Sequence, residues 1–127
     1  MTDERFERGV QVRYEIFGKE ETDAQLTGVD PFMGRLQELV TGYCFGENWS
    51  RELVPLKTRS MITIAMLAAQ GREPELRIHV RGALNNGASR EEIGEVFLHA
   101  AVYAGVPAAV AGFRAASEVF AQIDAES

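Results

Sequence analysis

One stretch of the chain concentrates the residues that could do chemistry: Glu75-Leu-Arg-Ile-His-Val-Arg-Gly-Ala-Leu-Asn-Asn-Gly87. On a helix, Glu75, His79, Gly82 and Asn86 recur every three or four residues and form one stripe. Beside it, Leu76, Val80, Ala83 and Leu84 form an apolar stripe that should face a core. Arg77 and Arg81 lie one turn apart on the other flank. The segment therefore sets a carboxylate, an imidazole and a gap without a side chain next to two cations. His79 is the leading candidate, because an imidazole with a pKa near 6.5 gives or takes a proton at neutral pH. Glu75, one turn earlier, could orient the ring or raise its pKa. The alternative is a half-buried histidine paired with a helical glutamate. Arg77 and Arg81 could clamp a carboxylate, or form a solvated face.

Other candidates are scattered. Arg59 opens a helix in Lys57-Thr-Arg-Ser60, where a cation opposes the helix dipole and an anionic partner would account for it. His99 lies between Glu95 and Tyr103 on a narrow polar stripe, as expected of an exposed or subunit-interface histidine. Cys44 sits between Tyr43 and Phe45 and reads as a small buried hydrophobe. There is no Walker-type glycine loop, nucleophile elbow, CxxC or zinc-spaced His/Cys cluster. The expected chemistry therefore uses no cofactor and no metal.

The elements that must hold these residues are helical. Thr2–Phe17 carries Phe6, Val10, Tyr14 and Phe17 at helical spacing, and Gly18 stops it. Residues 18–29 read as a loop or arm. Asp30-Pro31 caps a helix that should run to about Phe45, with Gly46 ending it. Residues 47–55 connect to a helix from Leu56 that is apolar nearly all round and therefore expected to be central. Gly71 closes it, and the helix opened by Pro74 ends at Gly87. Ser89-Arg-Glu-Glu92 is a capping box for the next helix. Gly105-Val-Pro107 breaks the chain before a last helix ending near Ile123. No stretch alternates with period two. The expectation is an all-α fold of about six helices in a single domain, residues 1–127. Residues 1–28 would be an N-terminal helix and arm, and residues 29–124 a helical core.

At 127 residues the chain can bury its own core without staples. A formal charge of −6 argues against nucleic acid or an anionic membrane as partner. The single cysteine excludes an intrachain disulfide and, with a charged N-terminus, points to the cytoplasm. Two nearly all-apolar helices exceed what one small core can cover, so burial between subunits of a homo-oligomer is expected.

Larger blocks carry a resemblance. Thr58-Arg-Ser60 with the apolar run to Leu67, the 75–87 segment, Ser89-Arg-Glu-Glu-Ile93 and Val102-Tyr-Ala-Gly-Val-Pro-Ala-Ala109 together resemble the carboxymuconolactone decarboxylase family. Tyr43-Cys-Phe-Gly-Glu-Asn-Trp49 resembles that family's aromatic connector. The likeness spans about residues 5 to 122. It implies an alkylhydroperoxidase-D-like helical bundle in a ring-shaped homo-oligomer, commonly a hexamer. It also implies cofactor-free loss of CO₂ from 4-carboxymuconolactone, giving β-ketoadipate enol-lactone in protocatechuate breakdown. On that basis His79 would be proton donor or oxyanion partner, with Glu75 orienting it. Arg59 or Arg81 would bind the retained carboxylate. Trp49 and Phe45 would form an apolar wall by the departing one, and Glu47 is a further acid/base candidate. His99 joins the substrate-binding set but stands where Gln is more usual, which bears on substrate identity. Ala104 stands where many relatives have Cys, so cysteine is not required. A peroxidase of the same fold would need a reactive cysteine pair, which Cys44 alone cannot supply. A non-catalytic oligomeric protein is a second rival, and a decarboxylase or isomerase acting on a related lactone or β-keto-acid-like substrate is a third.

Overall fold

The computed structural model describes residues 3–127. Among them are seven α-helices and one π-helix, with no strand. The chain divides into two compact units, one ending at Leu56 and one starting at Lys57.

In the first unit, α1 spans Glu4–Phe17. Thr2, the expected start of this helix, lies outside the described residues. Asp3 caps α1 by accepting from the Arg5 N–H at 2.9 Å, and Gly18 ends it in a positive-φ conformation. The expected loop after Gly18 is instead a helix, α2, Lys19–Leu26. Its sequence is nearly all polar, so hydrophobic periodicity gives no signal. Ion pairing and one buried face hold it: Lys19 meets Asp23 at 2.6 Å, Tyr14 donates to Asp23 at 2.6 Å, and Thr22 is buried.

Helix α3, Pro31–Glu38, starts as its Asp-Pro motif predicts, with Asp30 accepting from the N–H groups of Phe32 and Met33. It does not end at Gly46. The chain widens into a π-helix over Leu39–Trp49, closed by the Ser50 N–H bonding back five residues to the Phe45 carbonyl. The reason lies in two glycines. A Cβ on Gly9 would stand 1.8 Å from the Thr41 carbonyl oxygen, and one on Gly46 would stand 2.0 Å from that of Arg5. The backbones of α1 and the π-helix therefore touch, which any other residue at either position would prevent. Ile16, Phe45 and Trp49 form the small core beneath, with Phe17 edge-on to Phe45 at 5.8 Å.

The second unit contains α5 (Glu73–Asn85), α6 (Arg90–Ala104), α7 (Val106–Glu126) and nearly all of α4 (Leu56–Ala69). The capping box at Ser89 and Glu92 forms, with bonds of 2.9 and 3.0 Å. Ile64 and Ala68 of α4 and Leu76, Val80 and Ala83 of α5 pack with Ile93, Phe97, Ala115 and Val119. Only one face of α4 takes part. Ile62 and Met66 are exposed on the other, and α6 exposes Leu98 and Val102 beside its polar stripe. Within this chain α4 is thus not enclosed on all sides, contrary to its sequence.

Candidate active site

Helix α5 carries the stripe as its spacing requires. Leu76, Val80 and Ala83 are fully buried, while Glu75, His79 and Asn86 are half-buried along the neighbouring face. The two flanks of that face are fixed by different helices. On one, Arg77 meets Glu118 of α7 at 3.3 Å, and Arg81 reaches Gln122 at 3.3 Å and Glu126 at 3.7 Å. On the other, the Asn86 amide donates to the buried Ser60 hydroxyl of α4 at 2.9 Å. Asn86 lies seven residues after His79, so the two share a face about 10 Å apart along the axis.

His79 has its Nδ1 buried. Burial pushes its pKa below the usual histidine range, and the nearby Glu75 carboxylate opposes this with a smaller effect. The Glu75 carboxylate accepts from Arg72 Nε at 2.9 Å, and Arg72 holds its pKa below the usual carboxylate range. Glu75 is therefore a fixed negative charge one turn from the ring. The imidazole is neutral at neutral pH and can donate a hydrogen bond from one nitrogen.

Arg59 is half-buried in the first turn of α4, next in sequence to Ser60. The Ser60–Asn86 bond brings that turn to the C-terminal end of the stripe. Arg81, also expected to hold a carboxylate, is engaged by α7. His99 is exposed on α6, lies tilted against Tyr103 with ring centroids 5.0 Å apart, and borders a groove between α4 and α6 that His79 does not line.

Glu47, Phe45 and Trp49 belong to the first unit. Glu47 is exposed and pairs with Arg5 at 2.8 Å. Phe45 and Trp49 are core residues in contact at 5.7 Å, and the Arg13 guanidinium lies 5.6 Å over the Phe45 ring. Arg13 is buried and was not legible as such. It donates to Gln37 at 2.8 Å and Thr41 at 2.9 Å, ties that polar side chains leave unsigned in sequence. Ser60 was missed for the same reason.

The model of the carboxymuconolactone decarboxylase family matches residues 34–118. The chain belongs to that family. A 4-carboxymuconolactone decarboxylase from Acinetobacter baylyi is 42% identical over 121 residues, covering 94% of this chain and 90% of that protein. A nitrosuccinic acid decarboxylase from Metarhizium robertsii is 39% identical over 105 residues, 83% of this chain and 73% of that protein. Family membership thus joins the helix bearing His79 to relatives named for removing CO₂.

Proposed function

We propose that this chain is a carboxy-lyase that converts 4-carboxymuconolactone to β-ketoadipate enol-lactone and CO₂ in protocatechuate catabolism, without a cofactor. The observation that carries it is a neutral, half-buried imidazole on the family's most specific segment. In the substrate, the departing carboxylate sits on a carbon joined through C=C to the lactone carbonyl. When its C–C bond breaks, the electron pair forms a new C=C, and the displaced pair moves to the carbonyl oxygen as a dienolate. The α-carbon then takes a proton supplied by solvent water, and the lactone carbonyl is restored. The difficult moment is the dienolate, and a preorganised donor at that oxygen is the effect with the largest leverage.

A neutral imidazole held by burial suits this oxyanion role better than that of an ionised acid, since its protonated form is disfavoured. Glu75 opposes full loss of basicity and orients the ring. Arg59 or Arg81 binds the retained carboxylate, Arg59 from the turn of α4 that the Ser60–Asn86 bond joins to the end of the stripe and Arg81 from α5 itself. The resemblance also assigns Trp49 and Phe45 as apolar wall, Glu47 as a further acid/base candidate and His99 as a substrate contact. The working form is a homo-oligomer, a hexamer, in the cytoplasm; no helix among the described residues is long and apolar enough to cross a membrane.

The relative named for nitrosuccinic acid favours one second reading: a site that accepts other acids whose departing carboxylate leaves charge on a conjugated acceptor. The deciding experiment is a spectrophotometric assay with enzymatically generated 4-carboxymuconolactone. Turnover to the enol-lactone is expected. Turnover of nitrosuccinate alone would transfer the assignment, and turnover of neither would remove it.

A further inference from the structure

The first unit contains a hollow of about 440 Å³, within the range of roughly 300–1,000 Å³ that holds small molecules. Arg8, Gln11 and Glu15 line it from one face of α1, and Trp49, Arg51 and Glu52 from the π-helix and connector. Arg8 is positioned by a single protein bond, its Nε donating to the Gly46 carbonyl at 3.3 Å. The same carbonyl accepts from the Ser50 hydroxyl. This anchor exists only because α1 and the π-helix touch at Gly9 and Gly46. Among the described residues no acceptor engages either Nη of Arg8. A guanidinium fixed at Nε and open at its Nη edge is a bidentate carboxylate receptor. Trp49 is 8% exposed and backed by Phe45, which Arg13 covers in turn, so the indole is a rigid wall.

We propose that this hollow is a binding site for a small planar unsaturated carboxylate, taken at one end by the Nη edge of Arg8 and bordered along its body by Trp49. The site rests on the geometry of the first unit; the ligand class rests on the decarboxylase reading above. Glu15 and Glu52 border the same hollow and repel further negative charge. With a carboxylate at Arg8, the less charged part of the ligand lies toward the glutamates, and Arg51, the other cation of the lining, stands beside Glu52 on the connector.

Trp49 is the only tryptophan, so its fluorescence reports on this hollow. The full chain is titrated with crotonate, with methyl crotonate as the uncharged control. A saturable change with the acid, and none with the ester, is expected. Arg8→Gln should weaken binding by at least about tenfold, the scale of a lost charge-assisted pair. Arg8→Lys should fall between, because it keeps charge and loses the fork. Glu15→Gln should tighten binding, and it guards the test if the Arg8 variants fold poorly. The proposal is overturned by no saturable change, by equal binding of the ester, or by a folded Arg8→Gln that binds as the parent does. Turnover of 4-carboxymuconolactone is scored separately. Binding through Arg8 without turnover keeps the site and drops the reaction; turnover without binding does the reverse.

Discussion

At the scale of single residues, what matters about His79 is which protonation state it keeps. Burial lowers its pKa in the folded chain relative to about 6.5 in an unfolded one. The unfolded chain therefore binds the proton more readily. Stability linked to this group is full above the unfolded pKa and is lost as pH falls through the lower folded value. The same titration governs the proposed chemistry, because a neutral ring is the form that serves. The rate should be flat above the unfolded pKa and decline in acid, following the His79 titration. Two histidines make NMR assignment direct, with His99 as the exposed comparison. A rate that instead rises as His79 protonates would assign it the acid role. Replacing His79 with Gln should lower kcat by at least ~100-fold with little change in stability, measured by the lactone assay and thermal melting. Full activity in that variant would remove the ring from the mechanism.

At the scale of elements, the decisive contact is between backbones. Gly9→Ala would put a methyl group 1.8 Å from the Thr41 carbonyl oxygen, and a backbone atom inside a helix cannot move aside cheaply. The expected cost is at least ~2 kcal/mol, seen as a lowered melting transition in Trp49 fluorescence. Gly34→Ala is the matched control. It lies within α3 with nothing near its missing Cβ, so it should stabilise by roughly 0.5–1 kcal/mol. Equal effects of the two would refute the close-approach account. The same elements show what the sequence reveals and conceals. Caps and glycines marked α4, α5 and α6 to within a residue or two, because Gly71, Pro74, Gly87 and Ser89 act on local backbone geometry. The stripe on α5 was legible for the same reason. The helix at Lys19–Leu26 was not, because its stability comes from Lys19, Tyr14 and Asp23 rather than apolar periodicity. The π-helix was not either, since it is set by contact with α1, more than twenty residues away. Among site residues, Arg8 and Ser60 became visible only through the carbonyl and amide they meet.

At the scale of the whole molecule, exposed hydrocarbon is the unresolved feature of an isolated chain. Ile62 and Met66 of α4 face Leu98 and Val102 of α6 across an apolar groove, with Tyr103 at its edge. Val102 is 74% and Tyr103 81% exposed. Contiguous apolar surface of this kind commonly marks an interaction site. A second copy is the simplest cover, because every chain brings the same patch and a self-complementary interface closes on itself. Val102→Glu tests this with little risk to the fold, since the side chain has few contacts within its own chain. The parent should sediment as a multiple of 14.0 kDa and show a melting temperature that rises with protein concentration. The variant should shift toward 14.0 kDa and lose that concentration dependence, because two or more buried glutamates would meet without partners. A parent that already sediments as a single chain, or a Val102→Glu protein of unchanged mass, would free this groove from any role in assembly.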